Sequence, residues 1–349
     1  MPKRYLGNII TDTPTAPAGP YENDAASGVW SLAEANAYTA AGLWPTAGNA
    51  APIGVFAGGF SSSGSANVNV IQSVSIASAG NATDFGDLLA ANTNMVSGVS
   101  STTRGLFAGG EPSGLSDVIQ YITFASAGNA TDFGDLTVAR KDMGGISSST
   151  RGVFAGGNSG SATNTIDYVT IASAGNASDF GDLLSNVQST AGLSSSTRGI
   201  IGGGREIGYG NAILNTIQYV TIASAGNATD FGDLTQTTWF ISGLSSATRG
   251  VFGGGLGSSS NDVISYITIA STGNATDFGD LTDGVYATGP ASDSVTGLFA
   301  GGWEDTANAT VNKIDQITIA STGNASDFGD LTVDVYTSGC SNAHGGLAA

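Results

Sequence analysis

Gly80-Asn81-Ala82-Thr83-Asp84-Phe85-Gly86-Asp87-Leu88 sets the metre of this chain, because nearly the same nine residues return five more times. Its Asn recurs at Asn129, Asn176, Asn227, Asn274 and Asn324, at spacings of 48, 47, 51, 47 and 50 residues by subtraction. A period of that size marks a repeat architecture in which one supersecondary unit is stacked many times. An Asp-Phe-Gly that comes round six times, with neither a glycine-rich phosphate loop nor His-Arg-Asp, is a structural word and not a kinase metal ligand.

Each unit divides into four apolar runs of strand length. In the third unit these are Met143 to Ser149, Gly152 to Gly157 (Gly-Val-Phe-Ala-Gly-Gly), Ile166 to Ile171, and Phe180 to Leu183 after the Asn-Ala-Ser-Asp turn. β-Branched and aromatic residues alternate with polar ones in Ile166-Asp167-Tyr168-Val169-Thr170-Ile171, as a half-buried strand requires. Four strands per unit of this length make a propeller blade.

Composition agrees with many short strands and tight turns: 53 of 349 residues are glycine and only 11% are charged. The net charge of −18 opposes binding to nucleic acid or anionic membranes. A single Cys (Cys340) and a single His (His344) leave no material for an internal disulfide, a nucleophilic triad or a His-based metal site. No cofactor is expected and catalysis starts from a weak position. There is no run of 18 apolar residues, and Met1-Pro2-Lys3-Arg4-Tyr5-Leu6-Gly7-Asn8 lacks the apolar core of a signal peptide.

Residues 1–50 stand outside the repeat. Three prolines between Thr11 and Pro20 favour an extended arm, and Ser31 with Glu34 forms a capping box that opens a short Ala-rich helix. Tyr5, Trp30, Leu32 and Trp44 are the apolar residues with which such an arm would dock. The expected division is an arm and helix over 1–50 and a propeller over 51–349.

The order Asp-Phe-Gly-Asp-Leu-Thr-Val-Ala-Arg (132–140), a Gly-containing strand, an aromatic with a Gly-Gly doublet, and a Tyr-bearing strand resembles the kelch repeat. The resemblance implies an all-β propeller, and the six repeats make it six-bladed. Phe85, Phe133, Phe180, Phe231, Phe278 and Phe328 stand where the kelch Trp would be, and the usual Arg appears only at Arg140. The first blade starts at Gly54 with its second strand, while Tyr336 to His344 is an orphan first strand. Inserting that strand into the first blade closes the ring and removes both sheet edges.

Strand order then sorts the loops by face. One face carries the Ser-Thr-Arg turns (Arg104, Arg151, Arg198, Arg249) and the Asn-Ala-Thr/Ser-Asp turns, whose Asn and first Asp are expected to close an Asx-type turn while the Arg pairs with a nearby carboxylate. Asp84 and Asp87, with their repeats, are calcium candidates there. The other face varies. From the second Gly of the doublet to the next repeat Asn the count is 22, 19, 19, 23, 19 and 22, whereas from that Asn to the next doublet it is 29 and then 28 four times. Variable loops on a constant scaffold are where binding lives. Met95, Asp142, Ser189, Phe240, Tyr286 and Tyr336 are expected near the axis on this face. Trp239, Phe240, Tyr286 and Tyr336, with Tyr209 and Trp303 in the loops, form the candidate ligand site. Aromatics among Ser, Thr and Asn suit sugar rings. Asp142, Glu206, Glu304 and Asp305 are the carboxylates a glycan-cleaving enzyme would need to bring together.

The arm, with Ser27-Gly28-Val29-Trp30-Ser31-Leu32 and Leu43-Trp44-Pro45 ahead of degenerate Gly-Gly repeats, resembles virion proteins of marine tailed bacteriophages, especially tail-fibre and appendage proteins. That resemblance implies a virion location, other virion proteins as partners of the arm, and a host-surface polysaccharide or neighbouring subunits, including copies of itself, as partners of the propeller. A purely architectural subunit without ligand is the alternative.

Overall fold

The computed structural model describes residues 51–92, 97–208 and 210–347. The arm and helix expected over residues 1–50, with Tyr5, Trp30, Leu32 and Trp44, lie outside the described residues, as do Met95 and Tyr209.

The described chain is all-β with a propeller-like arrangement of six four-stranded antiparallel sheets and one small three-stranded sheet. From inner to outer strand, the first sheet contains Tyr336–Ser341, Ile53–Ser61, Ala66–Ser75 and Thr83–Asn92. The second contains Ser97–Ser100, Arg104–Ala108, Val118–Thr123 and Thr131–Asp135, and the third Gly144–Ser147, Arg151–Ala155, Thr163–Thr170 and Ser178–Val187. The fourth (Ala191–Ser194 to Thr229–Asp233), fifth (Ser242–Ser245 to Thr276–Asp280) and sixth (Gly289–Ser292 to Ser326–Asp330) follow the same order. The C-terminal strand pairs antiparallel with Ile53–Ser61, so the first sheet joins the two ends of the described chain.

Apolar residues of adjacent sheets pack into shared clusters, such as Ile146, Val153 and Phe180 with Ile201 and Val220. The inner strands are joined by a ladder of serines. Ser100 N donates to Ser147 Oγ (3.1 Å), Ser147 N to Ser194 Oγ, Ser194 N to Ser245 Oγ, Ser245 N to Ser292 Oγ and Ser292 N to Ser341 Oγ (each 3.4 Å). Ser100 Oγ then donates to Ser341 O (2.7 Å), and the succession ends where it began. These inner strands enclose a cavity of about 90 Å³.

The repeated word is an inter-sheet clasp. Its Phe is the extra residue of a β-bulge, as where Ile71 pairs with Gly86 but Gln72 with Asp84, and all six Phe side chains are buried. The following Gly has φ between 144° and 152°, a region only glycine occupies freely, and a Cβ on Gly134 would stand 2.5 Å from Gly175 O. That close approach lets Gly128 N and Ala130 N of one turn donate to Phe85 O and Asp87 O of the preceding sheet (2.7 and 2.8 Å). The Asn side chain does not close its own turn, contrary to expectation. Asn129 Oδ1 accepts from Asp87 N (3.1 Å), and Asn176, Asn227, Asn274, Asn324 and Asn81 do the same for Asp135, Asp182, Asp233, Asp280 and Asp330. The arginines likewise depart from the expected carboxylate pairing. Arg104, Arg151, Arg198 and Arg249 lie over Tyr121, Tyr168, Tyr219 and Tyr266 at 4.3–4.8 Å and donate to main-chain carbonyls such as Ile222 O (2.8 Å, from Arg151). A planar guanidinium can stack and donate at once, which suits this role.

Loop-length variation becomes hairpins. In the first sheet the extra residues prolong Ile53–Ser61 and Ala66–Ser75; in the sixth they form Trp303–Glu304 and Ala309–Thr310, and Trp303–Glu304 pairs with both Ala309–Thr310 and Val285–Tyr286 in the small sheet. The two hairpins are tied by Ser62 N to Thr310 Oγ1 and Thr310 N to Ser62 Oγ, both 2.9 Å. Asp334 accepts from Thr310 Oγ1 (2.6 Å) and from Ser63. Burial alone would raise the Asp334 pKa, but the bonds from Ser63 and Thr310 bring it below its ordinary value.

Beyond its last strand the chain turns under the inner strands. Gly345–Leu347 form a short 3-10 helix against the inner strands of the third, fourth and fifth sheets, at the end where the serines lie. His344 joins the cavity lining. Its Nδ1 accepts from Gly346 N (3.0 Å), which leaves the proton on Nε2 for Ser147 Oγ (3.1 Å). Burial lowers its pKa to about 4, so the imidazole is neutral at pH 7.

Candidate functional site

In five of the six sheets the opposite end of the cavity is bordered by a pair of residues: the residue just after the Gly-Gly doublet and the one facing it ahead of the inner strand. The pairs are Tyr336 with Phe60, Lys141 with Asn158, Gln188 with Arg205, Trp239 with Leu256 and Tyr286 with Trp303. In the second sheet Glu111 follows the doublet. Six equivalent positions therefore carry six different chemistries.

One half of this border is aromatic. Phe240 lies 4.4 Å from Trp239 and 5.9 Å from Tyr286 between ring centroids, and Phe60 stacks on Tyr336 at 5.9 Å. All of these, with Trp303 and Leu256, are half-buried. The other half is polar. Lys141 pairs with Glu111, Asn158 Nδ2 donates to Gln188 Oε1 (2.6 Å), and Arg205 lies over the Trp239 ring at 4.8 Å where the halves meet.

One step inward, Ser189 N donates to Asp142 O, Phe240 N to Ser189 O and Ala287 N to Phe240 O (2.7–2.9 Å), and these four residues share a left-handed φ of 51–59°. That register corrects the sequence reading by one residue. Ala287, not Tyr286, is the counterpart of Phe240, and Tyr286 and Tyr336 are counterparts of Trp239. The aromatic residues still converge, because Phe240 bridges the rings of Trp239 and Tyr286. Trp303 joins them as the cross-strand partner of Tyr286. Phe60, Leu256 and Asn158 went unnoticed in the sequence. The signal was available, since each occupies the position directly after Gly-Gly.

The ionisable groups here are tuned by burial. Burial raises the Asp142 carboxyl to about 7, with Lys141 opposing and Glu111 adding to the shift. Burial also pushes the Tyr336 phenol up to about 12, helped by Asp142, and raises Tyr286, helped by Asp305. Both phenols therefore stay protonated and can donate hydrogen bonds.

The carboxylates considered for glycan cleavage are dispersed. Asp142 is buried beneath the border, Glu206 lies in the fourth-sheet loop, Glu304 accepts from Thr306, and Asp305 accepts from Ser260 N (2.7 Å). Asp84 is exposed on the far face, and the backbone N of Asp87 serves the Asn129 clasp. Among the described residues, no three His, Cys, Asp or Glu side chains are grouped to hold a metal ion, and no helix is long and apolar enough to cross a membrane. No protein-family profile matches the sequence, and no curated protein is significantly similar to it.

Proposed function

We propose that residues 53–341 form a six-bladed, kelch-like β-propeller closed by the strand Tyr336–Ser341, and that it is a non-enzymatic binding head for a neutral polysaccharide. The observation that carries this reading is the half-aromatic border. Trp239, Phe240 and Tyr286 present contiguous half-buried rings next to phenols that remain donors, on the face where loop length varies. Sugar C–H faces stack on such rings while hydroxyls meet the polar half. The low content of Lys and Arg, ten residues against 28 acids, disfavours an anionic glycan. Binding on a broad glycan array that is lost in Trp239→Ala and Tyr286→Ala supports the reading; an array without any binding sinks it.

We further propose that the chain is a phage virion appendage subunit, anchored through Tyr5, Trp30, Leu32 and Trp44; its support is the resemblance of residues 1–50. Cross-linking of intact particles tests it, with other virion proteins recovered on the arm as the expected result. The architectural alternative draws support from Leu89, Val138 and Leu184, large apolar residues 46–53% exposed at the outer edges of the first three sheets. They suit lateral contact with a neighbouring subunit. On that reading the chain binds no glycan, and Leu89→Ser with Leu184→Ser weakens assembly.

A further inference from the structure

The third and sixth sheets both bury a carboxylate, Asp167 and Asp315, at the same position of the repeat. In the third sheet the fully buried Asp167 accepts from Thr137 N (3.1 Å), Thr137 Oγ1 (2.6 Å) and Arg140 Nη1 (2.8 Å), and Arg140 Nη2 also donates to Phe154 O (3.3 Å). Counted along the repeat, Thr282, Phe299 and Asp315 are the counterparts of Thr137, Phe154 and Asp167. Asp315 is buried and held the same way, by Thr282 N (2.9 Å) and Thr282 Oγ1 (2.7 Å). The counterpart of Arg140 is Val285.

Other sheets avoid the problem with a neutral acceptor. Gln72, Gln120 and Gln218 stand at the Asp167 position and accept main-chain N–H groups of the neighbouring sheet, and Ser265 takes the place in the fifth sheet. Among the described residues, the sixth sheet alone keeps the carboxylate while replacing the arginine. A cavity of about 170 Å³ opens there, with Val285, Phe299, Gly301 and Asp315 in its lining. Asp283, Glu304, Asp330 and Lys313 also line it. Lys313 Nζ is engaged by Asp283 and by Thr282 Oγ1 (3.0 Å), so four carboxylates face one ammonium. Burial raises the Asp315 pKa against the pull of Thr282 and Lys313, as expected of a carboxylate short of a contacting cation.

We propose that this cavity binds a guanidinium group supplied from outside the chain, seated between the Asp315 carboxylate and the Phe299 carbonyl as Arg140 is seated between Asp167 and Phe154. The planar fork fits a carboxylate edge and a carbonyl together, which a compact ammonium does not. The group arrives on a free small molecule or on an arginine of a partner chain. The site stands whether or not a glycan binds at the border.

The test is the thermal midpoint of the full chain in methylguanidinium chloride against methylammonium chloride at equal ionic strength. The expected result is a saturable rise of a few degrees with methylguanidinium alone, abolished in Asp315→Asn. Val285→Arg is expected to raise the midpoint of the ligand-free protein and to abolish the response, because its own side chain fills the cavity. A Gly-Arg-Gly peptide binding tighter than methylguanidinium assigns the group to a partner chain; equal or weaker binding assigns it to a small molecule. Equal responses to the two cations, a response surviving Val285→Arg, or a saturable response to calcium chloride without one to methylguanidinium overturns the proposal.

Discussion

The two faces of the six sheets are built from the same strands and follow opposite rules. On one, six copies of Asn-Ala-Thr/Ser-Asp-Phe-Gly-Asp make the same bonds to the neighbouring sheet, down to Asn Oδ1 accepting from an Asp N–H each time. On the other, equivalent positions hold Tyr336, Lys141, Gln188, Trp239 and Tyr286, which face Phe60, Asn158, Arg205, Leu256 and Trp303. Uniform bonding assembles sheets at a fixed angle. Non-uniform chemistry on a uniform frame distinguishes one partner from another.

The largest perturbation of this contrast is removal of residues 336–349. It strips the first sheet of its inner strand, exposes the Ile53–Ser61 edge and takes away the tail beneath the inner strands. Loss of a single cooperative unfolding transition in calorimetry is expected; a truncated chain that melts like the full one refutes the role given to the C-terminal strand.

Next come paired aromatic deletions. Phe133→Ala removes a buried ring that packs edge-on to Tyr121 at 5.9 Å, at a cost of about 3–5 kcal/mol in urea unfolding. Phe240→Ala, on a half-buried ring, is expected to cost well under half of that. Similar losses would erase the proposed division between building and binding faces.

A pH series separates the two ends of the central cavity. His344 has its pKa lowered from 6.5 to about 4, so its contribution is present above pH 6.5 and lost as pH falls through 4, roughly 3 kcal/mol in all. Asp142 has its pKa raised from 3.8 to about 7, so its contribution is present below pH 3.8 and lost as pH rises through 7. Between pH 5 and 6.5 the slopes oppose. His344→Gln should leave stability falling as pH rises, and Asp142→Asn should leave it rising; identical slopes in both variants would contradict the burial argument.

The smallest effect is expected from Asn129→Ala, which removes one of six equivalent clasps and should cost about 1 kcal/mol. Unchanged stability would return this Asn to the role of a local turn former.

Much of the frame was legible because a strand's side chains alternate and the repeated word marks every turn. The C-terminal strand in the first sheet and the confinement of length variation to one loop followed from spacing. What spacing does not carry is where a side chain ends. Asn129 and Arg151 look like local turn and ion-pair residues until the next sheet brings a backbone amide or carbonyl nearer than any local partner. Tyr286 was misplaced by one residue because Pro290, paired with Phe299, stands where the fifth sheet has Gly243 paired with Phe252, so a count back from Gly289 starts one residue early. His344 beneath the inner strands was hidden, since a tail after the last strand has no counterpart elsewhere in the repeat.

The most direct test of the division between faces is binding of Trp239→Ala and Asn129→Ala to the same immobilised neutral glycan, measured on proteins shown by circular dichroism to keep the wild-type fold. The account predicts that Trp239→Ala loses binding at least tenfold, about 1.4 kcal/mol, while Asn129→Ala binds as the wild type does. Retained binding in Trp239→Ala together with loss in Asn129→Ala would place recognition on the repeated face and contradict it.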